Sequence, residues 1–237
     1  MKELFKAVRQ DDLEKVKRIL DDDPELINCV ATAPPKKDEG QSLLQVANKA
    51  GNLEIAHYLI DKGIDVNYME PDHGLSWPEC YTCPVLIDAV DFLIDDYFDE
   101  GDIEGRMNLI RHLLEKGADP NKTNNRRMNA WDEVINTYTD AISSVDEDEK
   151  ESYEALLKEV LEVLYPYVDI LNMDRIDRDL KEYRRYSLFF KNLILNRDDL
   201  YGVEPEDIEV WEERFVPIIP IVKPFYMKNN PHYENDK

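Results

Sequence analysis

The sequence is poor in cysteine, in glycine and in long apolar runs. Three cysteines among 237 residues are too few for a disulfide framework, which favours a reducing compartment. The eight glycines do not cluster, which excludes a glycine-rich phosphate loop. The longest run without a charged or polar residue, 215–222, is far shorter than the roughly 20 residues that cross a bilayer, and the charged N-terminus does not read as a signal peptide. We therefore expect a cytoplasmic protein with no membrane partner.

Basic residues are also scarce. There are 29 lysines and arginines against 52 acids, a net charge of −23. The excess can be assigned to three stretches free of Lys and Arg, 88–104, 132–149 and 198–213, which hold eight, seven and eight acids and leave 29 elsewhere. Such charge disfavours nucleic acid as a partner, because phosphate would be repelled. It favours either a solvated face that confers solubility or a surface for a basic protein.

Few patterns suggest chemistry. Cys80 and Cys83 form a C-x-x-C with His73 seven residues before it, but a structural zinc site needs a fourth ligand that the sequence does not supply. The acidic run 95–102 fails as an EF-hand loop, because a phenylalanine and a methionine fall where oxygen ligands are required. No histidine has a serine or cysteine partner at a recognisable spacing. We expect no catalytic residue, no metal and no cofactor, and hence not an enzyme.

Internal repeats dominate the first two thirds of the chain. Apolar residues at helical spacing, split by a short polar turn, occur twice with the same offsets, which predicts two helix–turn–helix units. Gly51 suits the second turn and Gly63 the end of the second helix. The residues concerned are Leu4, Ala7, Leu13, Val16, Ile19 and Leu20 in the first unit, and Leu44, Ala47, Leu53, Ala56, Leu59 and Ile60 in the second.

Two later units are longer. The third opens at 84–86 and closes at 112–121, and the spacing from Ala89 to Gly105 exceeds the equivalent spacing in the second unit by twelve residues. We therefore predict a twelve-residue insertion between its two helices. A fourth unit opens near 129–131 and closes at 163–169, with another insertion around 143–149.

The second unit, GQSLLQVANKAGNLEIAHYLIDKGIDVN, resembles the ankyrin repeat in its opening, its Gly-x-Leu-Glu middle and its Gly-x-Asp-x-Asn close. Leu43 and Gln45 replace the proline and histidine of the family pattern, and we expect Gln45 to weaken hydrogen bonding between repeats. The resemblance covers residues 1–171, with units near 1–30, 38–70, 82–121 and 124–171. It implies an all-α solenoid of helix–turn–helix units.

Residues 172–237 depart from the repeat pattern. A three-four apolar spacing predicts an amphipathic capping helix at about 174–195. The segment 215–226 contains Pro217, Pro220 and Pro224, which we expect to exclude a helix and to favour an extended segment.

The resemblance implies a protein-binding surface, and two acidic stretches coincide with the insertions. Aromatic residues lie among the acids, where they could anchor a partner or pack in the core. Our leading hypothesis is an inhibitor of a basic partner, such as an immunity protein against a toxin. The alternatives are an adaptor or effector that recruits a host or regulatory protein, and an enzyme of unrecognised type. The predicted partner-binding residues are Asp95, Asp96, Tyr97, Phe98, Asp99, Glu100, Asp102, Trp131, Asp132, Tyr138, Asp140 and Trp211.

Overall fold

A computed structural model describes residues 1–32, 35, 38–71, 82–125, 128–141, 145–146, 148–168 and 219–229. In these residues the chain is all-α, and none of its described helices is long and apolar enough to cross a membrane. The chain divides into two compact units, Met1–Glu133 and Val134–Lys237. The helices are α1 (Lys2–Arg9), α2 (Leu13–Asp22), a 3₁₀ helix (Pro24–Asn28), α3 (Leu43–Lys49), α4 (Leu53–Asp61), α5 (Val85–Phe98), α6 (Ile103–Glu115), α7 (Ala130–Ala141), α8 (Lys150–Leu164) and α9 (Ile219–Asn229).

The first compact unit contains three helix–turn–helix pairs, α1–α2, α3–α4 and α5–α6. The first helices α1, α3 and α5 pack in sequence, and so do the second helices α2, α4 and α6. Small Ala47 and Ala56 are fully buried, which permits close approach of the helices. This arrangement confirms the predicted ankyrin-like helical repeats.

The same turn joins the two helices in all three pairs. Its residue with positive φ is Asp11 (56°), Gly51 (72°) or Glu100 (55°). The amide of the next residue donates to the carbonyl oxygen five residues earlier, at 2.7–3.0 Å. In the third pair one extra residue, Gly101, precedes the helix cap Asp102. The third turn therefore lies at Glu100 and Gly101, and our placement of it at Gly105 was wrong.

The twelve-residue insertion of the third repeat is distributed over the whole pair. Helix α5 has 14 residues against 7 in α3, and α6 has 13 against 9 in α4. The extra residues are thus seven in the first helix, four in the second and one in the turn. Seven and four residues are close to two turns and one turn of helix, so the apolar face keeps its direction.

Gln45 links the second repeat to the third. Its side-chain oxygen accepts from the Ser42 backbone amide at 3.1 Å, and its backbone amide donates to Ser42 Oγ at 3.2 Å. These two bonds form a capping box that begins α3. With its oxygen oriented in this way, Nε2 donates to Glu70 Oε2 at 2.6 Å, and to the Cys83 carbonyl oxygen and Asp88 Oδ2 at 3.3 Å. Gln45 thus forms hydrogen bonds between repeats in place of the family's histidine, and their lower strength stays a prediction.

The second compact unit contains the remainder of α7, with α8 and α9. The rings of Tyr138 and Tyr153 stack with centroids 4.4 Å apart. Helix α9 packs on α8 through buried Val222 and Phe225, and the Phe225 ring lies 5.3 Å from that of Tyr165.

Helix α9 contradicts the extended segment predicted for 215–226 over residues 219–226, and 215–218 lie outside the described residues. Pro220 is the second residue of the helix, where a backbone N–H has no intrahelical partner in any case. Pro224 lies in the interior, where it removes one hydrogen bond at a cost of about 3 kcal/mol. Burial of Val222 and Phe225, each contributing about 1.5–3 kcal/mol, offsets that cost. The capping helix predicted at 174–195 lies outside the described residues.

Candidate partner-binding site

The two extra turns of α5 end in a strongly acidic surface. We call residues 95–102, at the end of α5 and in the turn that follows, the acidic ridge. The side chains of Asp95, Asp99, Glu100 and Asp102 are exposed. Phe98 is 43% exposed and presents an apolar ring among them. The predicted combination of carboxylates and an aromatic side chain is thus present on the surface.

Two ridge carboxylates also make hydrogen bonds that stabilise the fold. Asp102 caps α6 by accepting from the Gly105 amide at 2.8 Å. Asp96 accepts from Arg106 Nε at 2.7 Å. Substitution at either position would therefore disturb the structure as well as the surface, whereas Asp95, Asp99 and Glu100 project into solvent.

Arg106 links the acidic ridge to the second repeat through hydrogen bonds. It is only 3% exposed, and its Nη1 donates to the carbonyl oxygen and to Oδ1 of Asn48 at 2.6 and 2.8 Å. Its guanidinium carbon lies 5.4 Å from the centre of the Phe92 ring, a cation–π distance. Sequence reasoning missed this residue. Its one signal was its place as the first base after the acidic stretch 88–104.

Like charges crowd the ridge. The pKa of Asp95 is raised by partial burial and then by the neighbouring carboxylates of Asp99 and Asp96. A cationic group placed beside these side chains would relieve that repulsion. The ring of Tyr97, partly exposed, meets that of Phe98 edge to face at 5.5 Å. The ridge therefore combines negative potential with a small aromatic surface.

The remaining predicted site residues lie beyond the ridge along the chain. Trp131 and Tyr138 are each 1% exposed, so they are core residues and not exposed anchors, because their rings supply large apolar area to the packing. Asp132 is partly exposed, and its backbone amide donates to Asn129 Oδ1 at 2.9 Å at the start of α7. The side chain of Asp140 and the whole of Trp211 lie outside the described residues.

Two histidines on the second helices of neighbouring repeats lie together. The Nδ1 atoms of His57 on α4 and His112 on α6 are 2.8 Å apart. The ring centroids are 5.0 Å apart, so the nitrogens point at each other and one ring donates to the other. His112 Nε2 lies 3.2 Å from Asp61 Oδ1, which also accepts from Lys116. Burial, and then the His112 ring, lower the pKa of His57.

The described residues offer little for metal chemistry. No three His, Cys, Asp or Glu side chains among them are placed to hold a metal ion. Cys83 is buried and donates its thiol proton to Asp88 Oδ1 at 3.0 Å. Cys80 and His73, the other members of the pattern considered for zinc, lie outside the described residues.

Comparison with known proteins agrees with the architecture. An ankyrin-repeat family model matches residues 39–67, the α3–α4 pair with its flanking segments. The chain is similar to the E3 ubiquitin-protein ligase Ufd4 of Drosophila melanogaster, with 29% identity over 85 residues, 36% of this chain. It is also similar to the E3 ubiquitin-protein ligase hecd-1 of Caenorhabditis elegans, with 27% identity over 119 residues, 50% of this chain.

The chain spans 3% of the length of each of these two relatives, so the match concerns one segment of each ligase. Ankyrin repeats are typically non-catalytic modules that bind other proteins, and a protein-interaction role follows for the matched repeat. The chain thus has three stacked helix–turn–helix pairs, and the central pair matches the ankyrin repeat.

Proposed function

We propose that this protein is a non-catalytic binding module that uses its acidic ridge to bind a basic partner protein and inhibit it. The supporting observation is the exposure of Asp95, Asp99 and Glu100 at the end of two helical turns that the neighbouring repeat lacks. These turns enlarge the surface without changing the repeat core.

The physical properties of the ridge suit a basic partner. Complementary charge speeds diffusional encounter and disfavours acidic competitors. Phe98 adds an apolar contact that can be desolvated on binding, as interface anchors are. Steering by the carboxylates and anchoring by the ring are separable contributions, the first to association and the second to dissociation.

Inhibition would follow from occupancy. A partner whose basic residues engage the ridge cannot use the same residues to bind an anionic substrate such as nucleic acid. An immunity protein against a toxin works in this manner. An adaptor would bind the same partner but leave its activity intact, so the two roles differ in a measurable property.

The test begins with capture of the partner from the native cell and its identification by mass spectrometry. Association rates are then measured for the wild type and for the triple variant Asp95→Asn, Asp99→Asn, Glu100→Gln. Because steering accelerates association by 10-fold or more, we expect about a tenfold slower rate for the variant at low salt. The difference should shrink at high salt, since the Debye length is already about 8 Å at physiological ionic strength.

A matched control neutralises three exposed acids far along the chain, Asp22→Asn, Asp23→Asn and Glu25→Gln. It removes the same charge and should associate at close to the wild-type rate. Equal slowing of association in both variants would show that only the net charge matters and not the ridge. No slowing in either variant would refute the ridge as the binding surface. Assaying the partner's own activity with and without the wild-type protein then separates an inhibitor from an adaptor.

A further inference from the structure

A partly buried carboxyl group lies at the junction between the second and third repeats. Asp88 lies in the first turn of α5, and its two oxygens accept from the Cys83 thiol at 3.0 Å and from Gln45 Nε2 at 3.3 Å. The same Nε2 donates to Glu70 Oε2 at 2.6 Å. One amide nitrogen therefore holds an oxygen from each of two carboxyl groups, of which Glu70 is buried and Asp88 is partly buried.

The charged groups that face Asp88 within the described residues are negative. They are Glu70, from the segment before α5, and Asp91, from the next turn of α5; Gln45 of α3 and the Cys83 thiol contribute uncharged donors. Burial is the largest influence on the pKa of Asp88 and raises it to about 7, with Glu70 and Asp91 acting in the same direction. The hydrogen bonds from Cys83 and Gln45 act against this rise.

We propose that the junction between the second and third repeats holds a proton on Asp88, and that release of this proton as the medium becomes alkaline weakens the contact between the repeats. An ionised Asp88 would lie near the buried Glu70 carboxyl, and two carboxylates that share a single donor repel each other. The affected helix, α5, also carries the acidic ridge at its other end. The proposal concerns the fold and stands independently of the partner-binding function.

The direction of the pH effect follows from linkage. An unfolded aspartate titrates near 3.8, whereas folded Asp88 titrates near 7, so the folded state binds the proton more tightly. The stabilising contribution is complete below the unfolded value and is lost as pH rises through the folded value. A folded pKa of about 7 corresponds to a roughly tenfold rise in the unfolding equilibrium constant between pH 6 and pH 8.

Urea unfolding of the whole chain between pH 5.5 and 8.5 tests the proposal. The wild type should show the tenfold rise, and Asp88→Asn, which cannot ionise, should show little change. Asp95→Asn serves as a control on the exposed part of the same helix and should keep the wild-type dependence. A wild type with no alkaline loss, or an Asp88→Asn variant that retains the full loss, would overturn the proposal.

A direct measurement does not depend on the folding of the variant. Side-chain carboxyl resonances of wild-type protein labelled with ¹³C-aspartate can be assigned through the backbone and followed with pH. The Asp88 resonance should titrate with a midpoint near 7 while the protein remains folded. Completion of its titration below pH 5 would show that Asp88 is ionised at neutral pH, and the proposal would be wrong.

Discussion

The second and third repeats are built on the same plan at different lengths. Both have a positive-φ turn residue, Gly51 and Glu100, and both bury the alanine at the fifth position of the first helix, Ala47 and Ala89. They differ by seven residues in the first helix and four in the second. The comparison teaches that the core of a repeat constrains which face of a helix is apolar but leaves its length open.

The largest expected loss of stability comes from removing the Arg106 side chain, which links these two repeats. Arg106→Ala removes the cation that Asp96 and the Asn48 carbonyl share, and leaves those polar groups poorly satisfied. Breaking a buried ion pair by removing one partner costs about 3 kcal/mol. Urea denaturation should show a loss of this size, whereas Arg111→Ala, a partly exposed position on the same helix, should change stability by less than about 0.5 kcal/mol. Equal losses would mean that Arg106 does not join the repeats.

The two turns should respond in opposite directions. Gly51→Ala forces a side chain into the left-handed region, at about 1 kcal/mol, although an added Cβ would still be 3.8 Å from the nearest atom of Arg106. Glu100→Gly relieves the same strain in the third repeat, and should raise stability by less than about 1 kcal/mol because glycine also gains freedom in the unfolded chain. Thermal melts that moved in the same direction would show that the turns are not equivalent.

The smallest expected effect concerns the histidine pair that joins the second helices of the two repeats. The folded pKa of His57 is lowered, so its contribution to stability is present above its ordinary value of 6.5 and is lost as pH falls. His57→Gln and His112→Gln should each cost less than about 1 kcal/mol at pH 7. Between pH 7 and pH 5 the melting temperature should fall less in either variant than in the wild type. The double variant should be little less stable than either single variant. Fully additive effects would argue against the pair.

Sequence periodicity predicted the repeats because apolar spacing reports which helix face is buried. It misplaced the third turn because Gly105 was taken as the turn glycine, while Glu100 supplies the positive φ. It also predicted an extended segment over 215–226, where α9 begins at Ile219, because prolines weigh against a helix locally and the burial of Val222 and Phe225 depends on α8. The local sequence pattern thus reports which helix face is buried, whereas tertiary contacts decide whether a segment such as α9 forms a helix.

The candidate site also has features that the sequence predicted and features that depend on tertiary contacts. The exposed charges of the ridge were predictable because clustered acids favour solvent. The burial of Trp131 and Tyr138 was not, since an aromatic side chain suits a core and an interface equally well. The contacts of Arg106 with Asn48 and of His57 with His112 join residues more than 50 positions apart, and spacing along the chain contains no signal for them.

The whole-turn lengths of α5 and α6 have a consequence for how such a protein changes by insertion and deletion. A gain or loss of two residues in α5 would rotate everything after it by more than half a turn and expose the apolar face. A gain or loss of seven would leave the face in place and only move the end of the helix. Natural variation in this repeat should therefore proceed in steps of whole turns, so the ridge can be lengthened, shortened or replaced while the stack that carries it is inherited unchanged.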